Sequence, residues 1–175
     1  MKLKFIDKLI IVLLILAVML FCVSCEKEQE TIGYQPQPTT FVGQDLDFFN
    51  LVNAMRVSRG LPTLKSELIL TQNCEVHANY MNAINDMNHD YFWARYVQSF
   101  ANNFGEVVSQ GFINAPGIIS AYQNSPDHYS ILISPEFTHI GIANVNRFQC
   151  VNLASYGSGD NKKQLIKVEN LTHQP

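Results

Sequence analysis

Ser125 and His128 are three residues apart, and their types and spacing could support nucleophilic catalysis. A hydroxyl beside an imidazole can serve as a nucleophile with its base. However, Pro126 and Asp127 follow the serine, and this order is typical of a helix start: a serine cap, a proline in the first turn and an acid at the positive end of the helix dipole. We therefore expect Ser125 to cap a helix and His128 to lie in its first turn.

Two other polar residues are expected to meet His128 beyond that helix start. His89 lies in a polar turn, and Glu106 follows a glycine in a short segment whose residues do not decide between strand and loop. Buried polar groups of this kind must be satisfied by hydrogen bonds or by a ligand. His77 lies on the apolar face of a helical pattern, so we expect a core or rim histidine there, and His139 opens a strand pattern, so we expect it to face solvent or the sheet edge.

The elements that must position these side chains are helical in the first part of the body and extended in the last. Apolar residues at a spacing of three or four predict helices over residues 45–60, 66–85, 93–103 and 118–123, the first of them capped by Asp47. Residues 138–144 and 148–156 are rich in β-branched and aromatic residues and predict an antiparallel hairpin. Helices first and strands last indicate an α+β fold rather than a doubly wound sheet.

The composition excludes some classes of function. The chain has 175 residues and a net charge of −3, which fits one domain and argues against nucleic acid as a partner. Its first residues carry three lysines, and residues 9–23 then contain no charge. That apolar run is shorter than the roughly 20 residues of a membrane-spanning helix, and with its basic start it is typical of a secretory signal.

The exit from this signal, CVSC at residues 22–25, resembles a bacterial lipobox, with Cys22 where the pattern usually has leucine. By this resemblance residues 1–24 are a lipoprotein signal peptide and Cys25 carries the lipid anchor; an ordinary signal peptide or an uncleaved anchor are the alternatives. Residues 25–40 are polar and contain prolines, which predicts a flexible tether. Their acidic start resembles signals that send bacterial lipoproteins to the outer cell surface, although a solvated spacer has the same composition.

Two cysteines, Cys74 and Cys150, remain in the body of the chain. An exported protein can oxidise such a pair to a disulfide. Each cysteine also suits a core position, the first on a helical apolar stripe and the second inside a strand pattern. Both interpretations stay open, because pairing requires close Cα atoms that the sequence does not show.

Several short motifs in a fixed order resemble one known family. They are NAMR (53–56), GLPTL (60–64), HANYM (77–81), NHD (88–90), GE (105–106), NSPDHYSIL (124–132) and FTHIGIA (137–143). Together they are similar to the CAP superfamily of cysteine-rich secretory proteins, antigen 5 and pathogenesis-related protein one, also called SCP-like. The resemblance covers residues 41–157 and implies a three-layer α-β-α sandwich with an antiparallel sheet between helices. Residues 158–175 are then a loose tail.

The resemblance also implies a cleft lined by two histidines, here His89 and His128, and by the acid Glu106. Such a cleft can hold a divalent metal such as zinc, and two imidazoles with one carboxylate leave an open position on that metal. This chain departs from the family in having Val107 where an asparagine is usual, and in lacking a second acid near residues 122–125. Without metal, the two histidines would hydrogen-bond to Glu106 and hold a loop to a helix.

Three functions are compatible with these residues. We expect a binding module that captures a lipid, a peptide or another small ligand in the cleft, tethered through Cys25 to the membrane in the cell envelope, outside the cytoplasm. A zinc-assisted hydrolase with Glu106 as general base is the second hypothesis, and a passive structural envelope protein is the third. The sequence offers no convincing nucleophile, so an enzyme is the weaker expectation.

Overall fold

The computed structural model describes residues 34–111 and 114–157, and the predicted signal peptide, the lipobox cysteine and the C-terminal tail lie outside them. In the described part, five helices surround a four-stranded mixed sheet, which confirms the predicted α+β fold. The elements follow the order α1 (Gly43–Val57), β1 (Lys65–Ser66), α2 (Leu68–Ile84), α3 (Phe92–Gln98), β2 (Asn103–Gln110), α4 (Ala115–Gln123), α5 (Pro126–Leu132), β3 (His139–Val145) and β4 (Phe148–Ser155).

The sheet has the strand order β1-β3-β4-β2, so β2 lies at one edge. β3 and β4 form the predicted hairpin, with Asn146 in the left-handed conformation at its turn. β2 runs antiparallel to β4 along its whole length, from Asn103 opposite Ser155 to Gln110 opposite Phe148, and this resolves the ambiguous segment as a strand. The short β1 pairs with β3 in parallel, so the sheet is mixed rather than wholly antiparallel.

Three helix boundaries differ from the sequence prediction. α1 starts at Gly43, and its N-cap residue Val42 makes no side-chain hydrogen bond, so the prediction of Asp47 as a cap was wrong. α2 is capped by Glu67, whose carboxylate accepts a hydrogen bond from the backbone N–H of Leu70. α3 ends at Gln98, and Phe100 adopts a left-handed backbone, so of the residues expected to extend the helix only Asn103 is regular structure, as the first residue of β2.

Each face of the sheet is covered by a different helical layer. On one face, α1, α4 and α5 bury the larger cluster, which includes Phe48, Val52, Ile118, Tyr122, Leu132, Val107, Ile142 and Val151. On the other face, α2 packs Cys74, Ala78 and Met81 against Val108, Ala143 and Cys150. The second contact is close: a Cβ atom at Gly141 would collide with the backbone of Leu70 and Thr71, so a glycine is required there.

Arg56, at the end of α1, is completely buried and binds backbone carbonyls on three later segments. Its guanidinium donates to the carbonyl oxygens of Pro62 at 2.9 Å, Leu132 at 2.9 Å, Ser134 at 2.9 Å and Phe137 at 3.2 Å. Because a guanidinium carries five donors in a planar fork, one side chain can satisfy this group of carbonyls. Arg56 therefore fixes α1 to the end of α5 and to the segment that leads into β3.

No helix within the described ranges has both the length and the apolar character needed to cross a membrane.

We predict that Arg56→Met lowers the free energy of unfolding by about 3–5 kcal/mol, because it leaves several buried carbonyls without a donor. Urea denaturation of the two proteins measures this difference. Arg59→Met is the matched control, since Arg59 is exposed, and we expect that variant to lose less than about 1 kcal/mol. Equal losses in both variants would show that Arg56 does not join these segments.

Candidate functional site

A buried ion pair between Arg95 and Glu106 lies at the centre of the site. The two side chains form a bidentate contact, with Arg95 Nε donating to Glu106 Oε2 at 2.6 Å and Arg95 Nη2 donating to Glu106 Oε1 at 2.6 Å. The carboxylate side chain has no solvent exposure and the guanidinium has 6 %. Parallel N–H···O bonds of this kind are the strongest contact available between these two groups.

The strand β2 determines which way Glu106 points. A Cβ atom at the preceding Gly105 would collide with Phe137, which belongs to the larger cluster with α1, α4 and α5. Since successive side chains of a strand point to opposite faces, Glu106 points to the α2 face of the sheet. There it meets Arg95 from α3 and, across the paired strand, Cys150, whose Sγ lies 3.7 Å from Glu106 Oε2.

Arg95 also holds the loop that joins α2 to α3. Its Nη1 donates to the backbone carbonyl of Asp90 at 2.6 Å and to Nδ1 of His77 at 3.0 Å. An arginine is only a donor, so Nδ1 of His77 must be the acceptor and its proton lies on Nε2. That Nε2–H donates to the carbonyl of Asn88 at 2.8 Å. Burial lowers the pKa of His77, and nearby Arg95 lowers it further, so this imidazole is neutral, as its contacts require.

His89 is the exposed member of this group. Its Nδ1 lies 2.9 Å from Glu106 Oε1, and half of its side chain is accessible to solvent. The ionised carboxylate only accepts, so Nδ1 of His89 carries the donated proton. Its other nitrogen, Nε2, has no hydrogen-bond partner within residues 34–111 and 114–157. The predicted contact between His89 and Glu106 is therefore formed, and it orients the imidazole with one nitrogen turned outward.

His128 lies on the other face of the sheet. Its ring packs 5.4 Å from the ring of Tyr122, whose hydroxyl donates to Gln149 on the face of the larger cluster. Its Nδ1 makes a 2.7 Å hydrogen bond with Ser125 Oγ. Ser125 occupies the N-cap position of α5 but makes no side-chain cap bond, so the prediction that its hydroxyl caps this helix was wrong. The hydroxyl is used by His128 instead.

The three side chains of the sequence hypothesis are thus divided between the two faces of an edge strand. Glu106 and His89 meet on the α2 face, and His128 belongs to the face covered by α5. Both imidazoles belong to segments that contact β2, since His89 binds Glu106 and Ile131 of α5 lies next to Gly105. Burial lowers the pKa of His128, and electrostatic interaction with His89 lowers it further.

These residues do not fit a metal ion in this arrangement. Both oxygens of Glu106 already accept hydrogen bonds from Arg95, and one of them also accepts from His89. A cation would have to displace a guanidinium that already neutralises the carboxylate. Within the described ranges, no three His, Cys, Asp or Glu side chains come together in a way that could hold a metal. The sequence prediction did not include Arg95 in the site, because this residue lies in an aromatic segment where only apolar residues were expected to point inward.

The remaining predicted residues have structural positions. Cys74 and Cys150 are both buried free thiols, so the alternative of a disulfide between them is not what the structure shows. Burial raises the pKa of the Cys150 thiol, and its contact with Cys74 raises it further. The valine at position 107, where the family has asparagine, is fully buried in the larger cluster. His139 packs on Tyr156 at 5.0 Å and pairs with Lys65 of β1, away from β2.

Comparison with known protein families gives one match, to the cysteine-rich secretory protein family, CAP, over residues 49–150. The chain belongs to the CAP family. This confirms the resemblance of the sequence motifs and accounts for the layered α+β arrangement. A search of curated proteins found no match.

Solved structures of bacterial CAP proteins share this fold. An extracellular protein with an SCP domain from Bacillus anthracis is 21% identical with a TM-score of 0.61, and the match covers 65% of this chain and 41% of that one. A cysteine-rich secretory protein from Staphylococcus aureus is 17% identical with a TM-score of 0.60, covering 65% and 38%. An outer surface protein from Borrelia burgdorferi is 16% identical with a TM-score of 0.61, covering 70% of this chain and 100% of that chain. The match therefore spans less than half the length of the first two proteins.

The ion pair makes a specific prediction about stability and pH. Burial alone would raise the pKa of Glu106, but the hydrogen bonds from His89 and Arg95 outweigh burial and lower it. A carboxyl whose pKa is lower in the folded state stabilises the protein fully above its unfolded pKa of about 4.3, and this contribution is lost as the pH falls through the folded pKa. We expect Glu106→Gln to lower the free energy of unfolding by about 3–5 kcal/mol at pH 7.

Urea denaturation between pH 7 and pH 3 measures this effect. The difference between the parent protein and Glu106→Gln should stay constant down to about pH 5 and shrink below that value. Glu75→Gln is the control, since Glu75 is an exposed acid of α2, and it should change little at any pH. A pH-independent difference for Glu106→Gln would contradict an ionised Glu106 paired with Arg95.

Proposed function

We propose that this protein is an extracytoplasmic CAP-domain lipoprotein that binds a small ligand at the edge of β2, between His89 and His128. The proposal rests on how the two imidazoles are hydrogen-bonded. Each is held through Nδ1, by Glu106 in one case and by Ser125 in the other. In each ring Nε2 has no partner among the described residues, so two oriented polar groups are available at one edge of the sheet.

The chemistry of the two rings indicates the kind of group they would bind. In the neutral form of the ring, the Nε2 atom of His89 is a hydrogen-bond acceptor, because the proton then lies on Nδ1. A ligand hydroxyl, amine or amide could donate to it while a second polar atom reaches His128. Tyr91 and Trp93 follow His89 in the chain and are mostly exposed. Apolar surface next to oriented polar groups is typical of ligand sites and favours an amphipathic ligand, such as a lipid or an apolar peptide.

The proposed location is supported by the N-terminal sequence and by the related structures. The basic and apolar start of the chain and the lipobox-like CVSC sequence are typical of exported lipoproteins. The related structures are described as an extracellular protein and an outer surface protein. Both observations favour a body outside the cytoplasm that is held to a membrane through Cys25.

The ion pair argues against the hydrolase hypothesis. A general base must take a proton, and Glu106 is buried with both oxygens bound to Arg95. The same contacts lower its pKa, which makes the carboxylate a weaker base. Positioning His89 is therefore the role that these contacts favour for Glu106.

We predict that His89→Ala and His128→Ala each weaken ligand binding at least about tenfold, because each removes one of the two polar contacts. The probes are a lysophospholipid, a sterol and an apolar peptide mixture, titrated against the emission of the single tryptophan, Trp93. His139→Ala is the matched control, since this histidine lies away from β2, and it should bind as the parent does. Unchanged binding of a probe by both variants would place the ligand elsewhere.

We predict that Cys25→Ser releases the protein from the membrane fraction, because the thiol that would carry the acyl chains is lost. Detergent phase partitioning and the mass of the mature N-terminus measure this. Cys22→Ser is the matched control and should leave the protein lipidated at Cys25. A mature protein that carries no lipid would contradict the anchor and leave the site at β2 untouched.

A further inference from the structure

Aromatic rings around α3 and at the start of the described chain form a partly exposed surface. We define this aromatic surface as Tyr34, Tyr91, Trp93, Tyr96, Phe100 and Phe104. The ring of Trp93 packs against Tyr96 at 6.1 Å, and Tyr96 stacks on Phe104 at 5.7 Å. At the other end, Tyr34 stacks on Phe100 at 5.0 Å.

A small buried cluster joins the two ends of the aromatic surface. Leu70, Ala101 and Ala154 form this cluster, and the rings of Tyr96, Phe104 and Tyr156 all pack against it. Tyr156 in turn lies 5.4 Å from Tyr34. All of these rings except that of Tyr91, which contacts Tyr80, are therefore connected through shared contacts, and they are not isolated apolar residues of the kind that every protein surface carries.

Three members of the aromatic surface expose much of their area. The exposed fraction is 68% for Tyr91, 64% for Trp93 and 41% for Phe100. Two of these residues also adopt a left-handed backbone, with φ of 60° for Tyr91 and 56° for Phe100. Large side chains rarely adopt this conformation, and it costs about 1–3 kcal/mol. Two of the three exposed aromatic residues, Tyr91 and Phe100, therefore have a strained backbone conformation.

The chemistry of this surface matches the interfacial region of a lipid bilayer. Tryptophan and tyrosine combine a large apolar ring with one polar atom, and both are enriched where lipid headgroups meet water. The exposed charged residue next to Tyr91 in the chain is acidic: Asp90 precedes it, and Tyr80, which contacts its ring at 5.4 Å, donates a hydrogen bond to Asp90. Ring insertion into a neutral leaflet fits this surface better than attraction to anionic lipids.

The chain enters the described body within this surface. Tyr34 is the first described residue, and its hydroxyl donates to the buried carboxylate of Glu67 at 2.5 Å. The backbone N–H of Gln37 donates to the same carboxylate at 3.3 Å. Cys25 lies nine positions before Tyr34, a distance that an extended chain spans in at most about 30 Å. A lipid on Cys25 therefore keeps this surface close to the bilayer.

We infer that the aromatic surface docks on the membrane to which the chain is tethered, with the rings of Trp93 and Tyr91 at the level of the lipid headgroups. This inference rests on the proposed lipid anchor for its location. A tether of this length gives a high effective concentration of bilayer, so weak intrinsic affinity is sufficient for docking. Docking would place the edge of β2 beside the membrane, where an amphipathic ligand is available.

The single tryptophan makes a direct test possible, because Trp93 is the only source of indole emission in the chain. The lipidated full-length protein is reconstituted into phosphatidylcholine vesicles whose acyl chains carry bromine near the headgroup. We expect Trp93 emission to move to shorter wavelength and to be quenched by the bromine. We also expect iodide in the water to lose most of its quenching effect. Emission that stays at the wavelength of the vesicle-free protein, with full iodide quenching, would overturn the inference.

Two double variants distinguish binding of the aromatic surface to the membrane from nonspecific binding of exposed apolar side chains. Tyr91→Asn with Trp93→Ser removes two rings, and asparagine tolerates the left-handed backbone at position 91. Val42→Ser with Val57→Ser is the matched control, because these exposed residues flank α1 on the other face of the sheet. With Cys25→Ser in each case, the first pair should lower vesicle co-sedimentation about tenfold and the control pair should not. Thermal unfolding confirms that both pairs are folded, and equal partitioning of both would overturn the inference.

The two proposals fail in different measurements. If the chain carries no lipid, the mass of the mature protein shows it, whereas quenching of Trp93 by brominated vesicles added to the unlipidated full-length chain still reports docking. If Trp93 becomes shielded without vesicles as the protein concentration rises, and sedimentation shows a dimer, a second copy covers the surface and the inference is overturned. The anchor on Cys25 would be unaffected by that result.

Discussion

The salt bridge between Arg95 and Glu106 is the constraint on which the site depends. A carboxylate with no solvent exposure is tolerable in a protein only if its charge is compensated, and Arg95 compensates it with two short hydrogen bonds. The remaining donors of this arginine fix the carbonyl of Asp90 and the ring of His77. One ion pair thus determines the conformation of the loop between α2 and α3, and that loop carries His89.

The Arg95–Glu106 pair distinguishes this chain from the metal-binding cleft that the family resemblance implied. The resemblance implied a cleft in which histidines and an acid can hold a divalent metal, whereas here the guanidinium of Arg95 supplies the positive charge beside Glu106. Because the guanidinium is part of the fold, the position of His89 does not depend on the supply of a metal ion. Two departures from the family pattern are consistent with this difference. The chain has no second acid that could bind a cation, and the residue after Glu106 is the buried, apolar Val107.

Much of the fold could be predicted from the sequence, because local patterns specified it. The apolar stripes of α1 and α2 and the β-branched hairpin of β3 and β4 are strong periodic signals. The two-residue strand β1 has no such pattern, and the paired strand β2 was ambiguous because it is buried almost throughout and lacks alternation. The short α3 was predicted too long, because apolar spacing did not reveal the left-handed backbone at Phe100, just after the C-cap at Ser99.

The site was harder to predict, because its geometry depends on strand register. Motif order alone identified His89, Glu106 and His128, but the alternation of side chains along β2 assigns Glu106 to the α2 face, and the packing of α5 holds His128 on the other face. Arg95 carries no sequence signal, since a single arginine in an aromatic helix usually points to solvent. Ser125 has the sequence of a helix cap, and only the structure shows that His128 uses its hydroxyl.

The carboxylate of Glu67 has a mechanical consequence. It accepts hydrogen bonds from Tyr34 and Gln37 at the entrance of the chain and from Leu70 in the first turn of α2. Tension applied through the N-terminal segment is therefore transmitted to the start of α2, whereas His77 and the loop that carries His89 lie toward the opposite end of that helix. If the chain is pulled through the proposed anchor, the load reaches the contacts of Glu67 before it reaches the proposed ligand site at His89.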